Sequence, residues 1–364
     1  MSTEAALFVE VGAGLLAAAF ALSVGTCALI RRGAARVGFL DRPGGHKGHA
    51  APIPLGGGVA IWLTTVAFPL WGVAIACFGQ SILPEGLVEY AAGIRAQSGK
   101  LLLILGLATL IMLMGLVDDR RALGWQLRLA TQFGLATLFA QFGVEITLFG
   151  ISPLVGKILT VFWVVGLTNA FNFLDNMDGL AAGVGLIAAV VFAAAQVQTG
   201  SLFVPAVLLG LIGALAGFLV HNWYPARLYM GDAGSNFLGF LLGSLTVAGT
   251  YFRYGTGESP WGVLAPLLVM AVPLYDTTSV VLIRLREGRS PFMGDRRHFS
   301  HRLVESGLTP PRAVRTIYLV TLTAGLGSLL LHRLDGWGAL VVVSQTVCLL
   351  GIVAILEVSA SRLD

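Results

Sequence analysis

Long apolar runs constrain this chain more than any other feature. A helix needs about 20 apolar residues to cross a bilayer, and runs of about that length recur along the whole sequence. There are eleven of them, at about 5–30, 56–78, 101–117, 126–143, 154–171, 179–197, 202–221, 233–251, 261–283, 312–331 and 337–357. The pattern predicts an all-α, polytopic integral membrane protein with about eleven transmembrane helices.

The composition supports the bilayer as the surroundings of this chain. Only 12% of its residues are charged, whereas soluble domains carry roughly 25%. So few charges cannot cover a water-facing surface of this size, which excludes soluble, disordered, collagen-like and nucleic-acid-binding proteins. No long polar linker interrupts the apolar runs, so we predict a single transmembrane domain over 1–364.

The distribution of basic residues predicts the orientation. If the N-terminus lies outside, 18 of the 23 Lys and Arg residues fall in segments that face the cytoplasm. Cytoplasmic loops carry the excess of Lys and Arg in such proteins. We therefore expect the N-terminus outside, the C-terminus in the cytoplasm, and a multi-pass protein of the cell membrane.

Carboxylates are concentrated at the ends of the runs that would face the cytoplasm. They are Asp118 and Asp119, Asp175 and Asp178, and Asp232. A single one, such as Asp232, could equally well be a helix cap. Capping explains Asp118 and Asp119 poorly, because a helix C-terminus disfavours negative charge. These two carboxylates need a cation, a shared proton or a basic partner.

Carboxylates and amides with few cysteines favour a hard cation, Mg²⁺ or alternatively Mn²⁺. Magnesium usually leaves coordination positions for substrate phosphates. The loop around His298, His301 and Arg302 offers donors suited to phosphate, although most of its arginines fit an ordinary positive-inside loop. Together these features indicate a phosphorylated substrate handled at the cytoplasmic surface.

Four motifs, in this order, resemble the polyprenyl-phosphate N-acetylhexosaminyl-1-phosphate transferases. The first, at 41–54, is followed by Gly57 and Gly58 and is similar to Asp-x-Pro-x-x-Arg-Lys-x-His-x-x-Pro-x-Pro-x-x-Gly-Gly. The third resembles Asn-x-x-Asn-x-x-Asp-Gly-x-Asp-Gly-Leu-Ala. The second, third and fourth motifs lie at 115–119, 169–181 and 229–235. The ordered set is far more specific than any one motif.

Three positions depart from the family pattern. His46 stands where the family usually has Arg, and Asn176 replaces a Gly. The family's His-x-His-His loop reads His298-Phe299-Ser300-His301, so the middle histidine is Ser300. A role of that histidine cannot be carried over, and we expect altered phosphate binding or a different pH profile.

The resemblance implies an enzyme and its substrates. It would transfer N-acetylhexosamine-1-phosphate from a UDP-sugar to undecaprenyl phosphate at the cytoplasmic face. UMP would be released, and a lipid-linked envelope polysaccharide begun. The residues before Gly57 and the separated histidines favour the amino-sugar branch, and hence UDP-N-acetylglucosamine. A homodimer is an option that the sequence leaves open.

The resemblance also implies roles for individual residues. Asp232 would bind Mg²⁺ directly, helped by Asp118 and Asp119. Tyr229 would stack on uracil and Asp178 would accept its N–H, although Tyr229 alone could be an interfacial aromatic. The expected catalytic residues are Asp118, Asp119, Asp175, Asp232, His298 and His301. The expected substrate contacts are Lys47, Arg128, Asn169, Asn172, Asp178, Asn222, Tyr229, Gly231 and Arg302.

Several alternatives stay open at this point. A phospho-N-acetylmuramoyl-pentapeptide transferase of peptidoglycan synthesis is the nearest one, and a multi-span transporter is one of a different class. Arg128 alone could be an interfacial arginine whose charge reaches water. Asp276 either supports the site or is a buried polar packing partner.

Overall fold

The structure is a computed structural model. It describes residues 3–42, 51–79, 85–147, 151–252, 259–291 and 297–360. Its helices are α1 (Thr3–Arg36), α2 (Gly57–Phe78), α3 (Glu85–Asp118), α4 (Trp125–Gln141), α5 (Pro153–Leu174), α6 (Leu180–Gln198), α7 (Phe203–Asn222), α8 (Gly231–Ala248), α9 (Ala265–Val269), α10 (Ala271–Arg286), α11 (Phe299–Glu305), α12 (Pro310–Ser328) and α13 (Gly336–Ala360). A 3₁₀ turn, Pro260–Leu264, precedes α9, and two short strands are β1 (Leu40–Asp41) and β2 (Ile53–Pro54).

The chain is a polytopic, almost entirely helical membrane protein. Within the described residues, seven helices are long and apolar enough to cross a membrane, or eight if a bent pair counts as one span. Each predicted run contains helix, but α4, α8 and α12 are not both long enough and apolar enough to count among these membrane-crossing helices. α4 has only 17 residues, α8 begins with the polar sequence of the fourth motif, and α12 carries Arg312 and Arg315. The count of eleven spans and the orientation stay predictions.

The run at 261–283 is not one straight helix, and whether it crosses the membrane as one span stays a prediction. It forms a 3₁₀ turn with α9, and then α10, and the two parts are bent by 59°. Pro273 lies in the first turn of α10. Because proline has no N–H, it cannot donate to the carbonyl four residues earlier, at Val269, where α9 ends. Asp276, which contacts the histidine segment described below, lies on α10 after this bend.

The centre of the fold is α8. Nearly every residue from Ala233 to Thr246 is buried, and α2, α3, α5 and α6 pack around it. Backbone bonds join the first motif to the fourth at the beginning of α8. Tyr229 N–H donates to Pro54 O, and Gly57 N–H donates to Tyr229 O, both at 2.9 Å. Sequence-distant motifs therefore meet at one end of the central helix.

A close backbone approach at Gly115 sets the position of α3 against α8. A Cβ atom there would lie 2.3 Å from the carbonyl oxygen of Asp232. We expect Gly115→Ala to lower the free energy of unfolding by about 1–3 kcal/mol, because overpacking forces backbone shifts. The measurement is thermal unfolding in detergent.

Gly106 is the matched control on the same helix, since a Cβ there would meet nothing within 4 Å. Gly106→Ala should leave the melting temperature unchanged or slightly raised, because alanine favours helix. Equal melting temperatures for the two variants would contradict the importance of this contact.

Candidate active site

Asp119 caps α8 from a different helix. It follows the end of α3, and its carboxylate accepts hydrogen bonds from the backbone N–H groups of Asp232 at 2.7 Å and Ala233 at 3.1 Å. Free N–H groups at a helix N-terminus attract negative charge. Gly231 has φ of +72°, and a Cβ there would lie 2.6 Å from Asp119 Oδ2. Glycine at 231 therefore lets the carboxylate reach α8.

Asp118 has a basic partner, one of the three possibilities that the sequence left open for it. Its Oδ2 pairs with Arg128 Nη1 at 2.9 Å, and its Oδ1 accepts the Leu123 N–H at 2.6 Å. The same Arg128 nitrogen lies 3.9 Å from Asp232 Oδ2. Arg128 thus stands between two carboxylates of the site, rather than serving only as an interfacial arginine.

Asp232 is more accessible to solvent than Asp118. Its side chain is 34% exposed, against 5% for that of Asp118. Asn172 donates to its Oδ1 at 2.6 Å, while its Oδ2 lies beyond hydrogen-bond distance of Arg128. Carboxylate oxygens such as those of Asp232 are the ligands that hard cations prefer. No group of three or more His, Cys, Asp or Glu side chains could hold a metal in the parts of the chain that the structure describes.

Acidic side chains are crowded together at this end of the helices. Burial raises the pKa of Asp119 to about 6, and the neighbouring Asp118 and Asp41 add to the effect. Burial also raises the pKa of Asp175 to about 8, helped by the charges of Asp232, Asp119 and Asp178. Burial is the larger cause and repulsion between the carboxylates the smaller one, and both favour either a proton on these groups or a cation close to them.

The loop after α5 and the segment before α8 are fixed to each other. Asp178 Oδ2 accepts the Ala226 N–H at 2.9 Å. Asn222 is buried; it accepts the Gly179 N–H and donates to the Leu228 carbonyl, both at 2.9 Å. Asn222 therefore uses its amide to hold the two segments together.

Tyr229 lies at the edge of the same loop. Burial raises the pKa of its phenol, and the carboxylates of Asp178, Asp41 and Asp175 raise it further. The raised pKa keeps the phenol neutral, and the residue is only partly buried.

A buried amide network, which the sequence reasoning missed, lies beneath the carboxylates. Asn169 donates to Gln132 Oε1 at 2.7 Å, Gln132 donates to Asn236 Oδ1 at 3.1 Å, and Asn236 donates to the Asp232 carbonyl at 2.8 Å. The network joins α5, α4 and α8. Its signal in the sequence was one amide residue within each of three apolar runs, of which Asn169 alone was predicted as a site residue.

The histidine segment is held by Asp276, which has no exposed surface. Asp276 Oδ2 lies 3.0 Å from His298 Nδ1, and its Oδ1 accepts the Phe299 N–H at 2.6 Å. The structure thereby favours the supporting role that the sequence left open for Asp276. The His301 ring lies 6.5 Å from that of His298, centroid to centroid.

Arg302 is anchored within the protein. Its Nε lies 2.9 Å from Glu357 Oε2 on α13, and its two terminal nitrogens donate to Ser279 Oγ and the Arg297 carbonyl. A substrate contact for Arg302 stays a prediction, as do those of the other expected contacts. Lys47 lies outside the described residues.

The third motif, which carries Asp175 and Asp178, contacts the histidine segment. The rings of Phe173 and His298 meet edge to face with centroids 5.7 Å apart, and Ser300 bonds to Asn176. The structure therefore brings the third motif and the histidine segment into one site, together with the second and fourth motifs.

Comparison with known proteins defines the class. The sequence model described as "Glycosyl transferase family 4" matches residues 101–250. A decaprenyl-phosphate N-acetylglucosaminephosphotransferase of Mycolicibacterium smegmatis is 35% identical over 314 residues, covering 79% of this chain and 73% of the relative. The chain belongs to glycosyl transferase family 4, which confirms the resemblance seen in its motifs.

Two further relatives match most of the chain. The probable undecaprenyl-phosphate N-acetylglucosaminyl 1-phosphate transferase of Bacillus subtilis is 28% identical, covering 90% of this chain and 86% of the relative. The undecaprenyl-phosphate alpha-N-acetylglucosaminyl 1-phosphate transferase of Escherichia coli is also 28% identical, covering 81% of this chain and 76% of the relative.

Proposed function

We propose that this protein transfers N-acetylglucosamine-1-phosphate from UDP-N-acetylglucosamine to a polyprenyl phosphate in the cell membrane, releasing UMP. One observation carries the proposal: Asp119, Asn172 and Asp232 meet at the beginning of α8, and Arg128 lies between Asp118 and Asp232. The relatives named above are described as acting with N-acetylglucosamine phosphate and a polyprenyl phosphate. Their names supply the substrates.

The chemistry is an exchange of one phosphoanhydride for another. An oxygen of the lipid phosphate attacks the sugar-linked phosphorus, the bond from that phosphorus to the bridging oxygen breaks, and UMP carries the bridging oxygen away. The step is nearly balanced, so its barrier is mainly positioning and charge. Two unit charges 4 Å apart repel by about 4 kcal/mol at an effective dielectric of about 20. The site has to offset that repulsion with positive charge.

Mg²⁺ suits a site with so few protein ligands, because it is usually bound by one or two carboxylates together with substrate phosphates. Bound there, it would neutralise the diphosphate charge. Asp232 would be the direct ligand, since its side chain is 34% exposed, against 5% for that of Asp118, and its Oδ2 lies beyond hydrogen-bond distance of Arg128. Asp118 and Asp119 would support the metal from further out, because their oxygens already accept bonds from Arg128, Leu123 and the N-terminus of α8. Arg128 adds a fixed positive charge beside them.

The lipid phosphate attacks directly. A phosphate monoester is largely ionised at pH 7, so it needs little help from a general base. Both oxygens of Asp119 accept backbone N–H bonds of α8, which suits a fixed cap better than a nucleophile that forms an aspartyl intermediate. Tyr229 and Asp178 hold the uracil, and His298 and His301 contact the phosphates.

The site faces the cytoplasm. In the orientation with 18 of 23 basic residues inside, the ends of α3 and α5 and the beginning of α8 all lie at the cytoplasmic surface. Lipid-exposed loops are excluded from the hydrocarbon, so the loops that carry the carboxylates lie at the water interface, where UDP-sugars are available.

The test is UMP release by the purified full chain in detergent, with undecaprenyl phosphate, Mg²⁺ and separate UDP-sugars. We expect release with UDP-N-acetylglucosamine, loss of release with EDTA, and recovery on adding Mg²⁺. Release only with UDP-N-acetylmuramoyl-pentapeptide would move the protein to the peptidoglycan branch. A folded protein that releases UMP from no UDP-sugar would overturn the proposal and reopen the transporter alternative.

A further inference from the structure

Two departures from the family motifs lie against each other. Asn176 stands in place of a glycine in the third motif, and Ser300 stands in place of the middle histidine. Although 124 positions separate them in the sequence, Ser300 Oγ donates to Asn176 Oδ1 at 2.5 Å. The two departures therefore form one contact.

The amide of Asn176 is oriented for this bond. Its Nδ2 donates to the carbonyl of Phe173 at 2.7 Å, in the last turn of α5, where helix carbonyls lack a helical partner. The amide oxygen is thereby turned away from α5 and accepts from Ser300. Glycine at 176 could make neither bond.

Ser300 is enclosed by protein. The residue is 1% exposed, so its hydroxyl does not meet a substrate in this arrangement. It lies in the first turn of α11, beside His298 and His301. Its partner lies between Asp175 and Asp178. The bond therefore joins the loop that carries two carboxylates to the helix that carries the histidines.

We infer that Asn176 and Ser300 are paired positioning residues, a neutral latch that fixes α11 against the loop at 175–178. The latch sets the spacing between the histidines and the carboxylates across the site. The inference rests on the proposed function, and neither residue is a catalytic residue. In this arrangement, the neutral hydroxyl of Ser300 has a positioning role for which no charged side chain is needed.

The first test is a double-mutant cycle on kcat for UMP release at saturating substrates. We expect Asn176→Ala and Ser300→Ala each to lower kcat about tenfold, and the double variant to lose no more than either one, because the two residues share one bond. Ser300→Thr keeps a hydroxyl and should recover most of the rate. Ser306→Ala is the matched control, since Ser306 Oγ donates to the Leu303 carbonyl at the end of α11 and, among the described residues, to no other group.

A second test does not depend on activity. If the latch holds α11, trypsin should cut at Arg297 and Arg302 faster in each single variant than in the wild type. The double variant should be cut at the same rate as the single variants. Multiplicative losses in the cycle, a change in KM alone, or an equal loss in Ser306→Ala would each overturn the latch. If the wild-type protein releases no UMP, the proposed function fails, and the trypsin comparison still decides whether the latch exists.

Discussion

Asp232→Asn should lower the rate of UMP release by about a thousandfold or more. A metal ion contributes several kcal/mol by stabilising charge, and each 1.36 kcal/mol is a factor of ten. The asparagine keeps the shape of the side chain but loses the charge that would hold Mg²⁺. The loss should appear in kcat and should not be restored by raising the Mg²⁺ concentration to several times that needed by the wild type.

Asp335→Asn is the matched control for that variant. Asp335 Oδ1 accepts the Gly338 N–H at 2.8 Å at the beginning of α13, on the predicted outer side. We expect it to keep wild-type activity, because it is a helix cap far along the chain from the site. Substantial activity in Asp232→Asn, with both proteins folded, would remove Asp232 from the metal site.

The acidic motifs could be read from the sequence because charge in an apolar chain is costly. The binding partner of each carboxylate could not be read from the sequence. Asp118 and Asp119 are adjacent in sequence, yet one binds Arg128 and the other binds the N-terminus of α8. Those partners are set by how α3 packs against α8, and packing between distant helices leaves no local signal.

The supporting residues were hidden for a similar reason. A lone Gln132 in an apolar run has no visible partner until α4, α5 and α8 are brought together. The partner of Arg302 is Glu357, on the last helix, where a single acid near a chain end looks like an interfacial residue. The apolar runs themselves predicted the helices well, and the bend before α10 was missed because Pro273 lies inside a continuous run.

Asp276→Asn should lower kcat by about a hundredfold, since small displacements of a reacting group cost about that much. An ionised carboxylate only accepts, so Asp276 can take hydrogen bonds from both His298 Nδ1–H and the Phe299 N–H. An asparagine has one acceptor oxygen and one amide that donates. The asparagine oxygen can accept from only one of the two N–H groups. The amide then faces the other N–H group and either displaces it or forces His298 into its other tautomer.

Three further variants test whether Asp276 acts through the His298 ring. Thr278→Ala, on the same helix, should keep full activity because its hydroxyl bonds only to carbonyls of α10 itself. His298→Ala should lose about as much as Asp276→Asn, and the double variant about as much as His298→Ala alone, since Asp276 acts through the histidine. Losses that multiply in the double variant would mean that Asp276 supports α11 as a whole rather than the His298 ring. Near-normal kcat in a folded Asp276→Asn protein would show that the orientation of His298 does not limit the reaction.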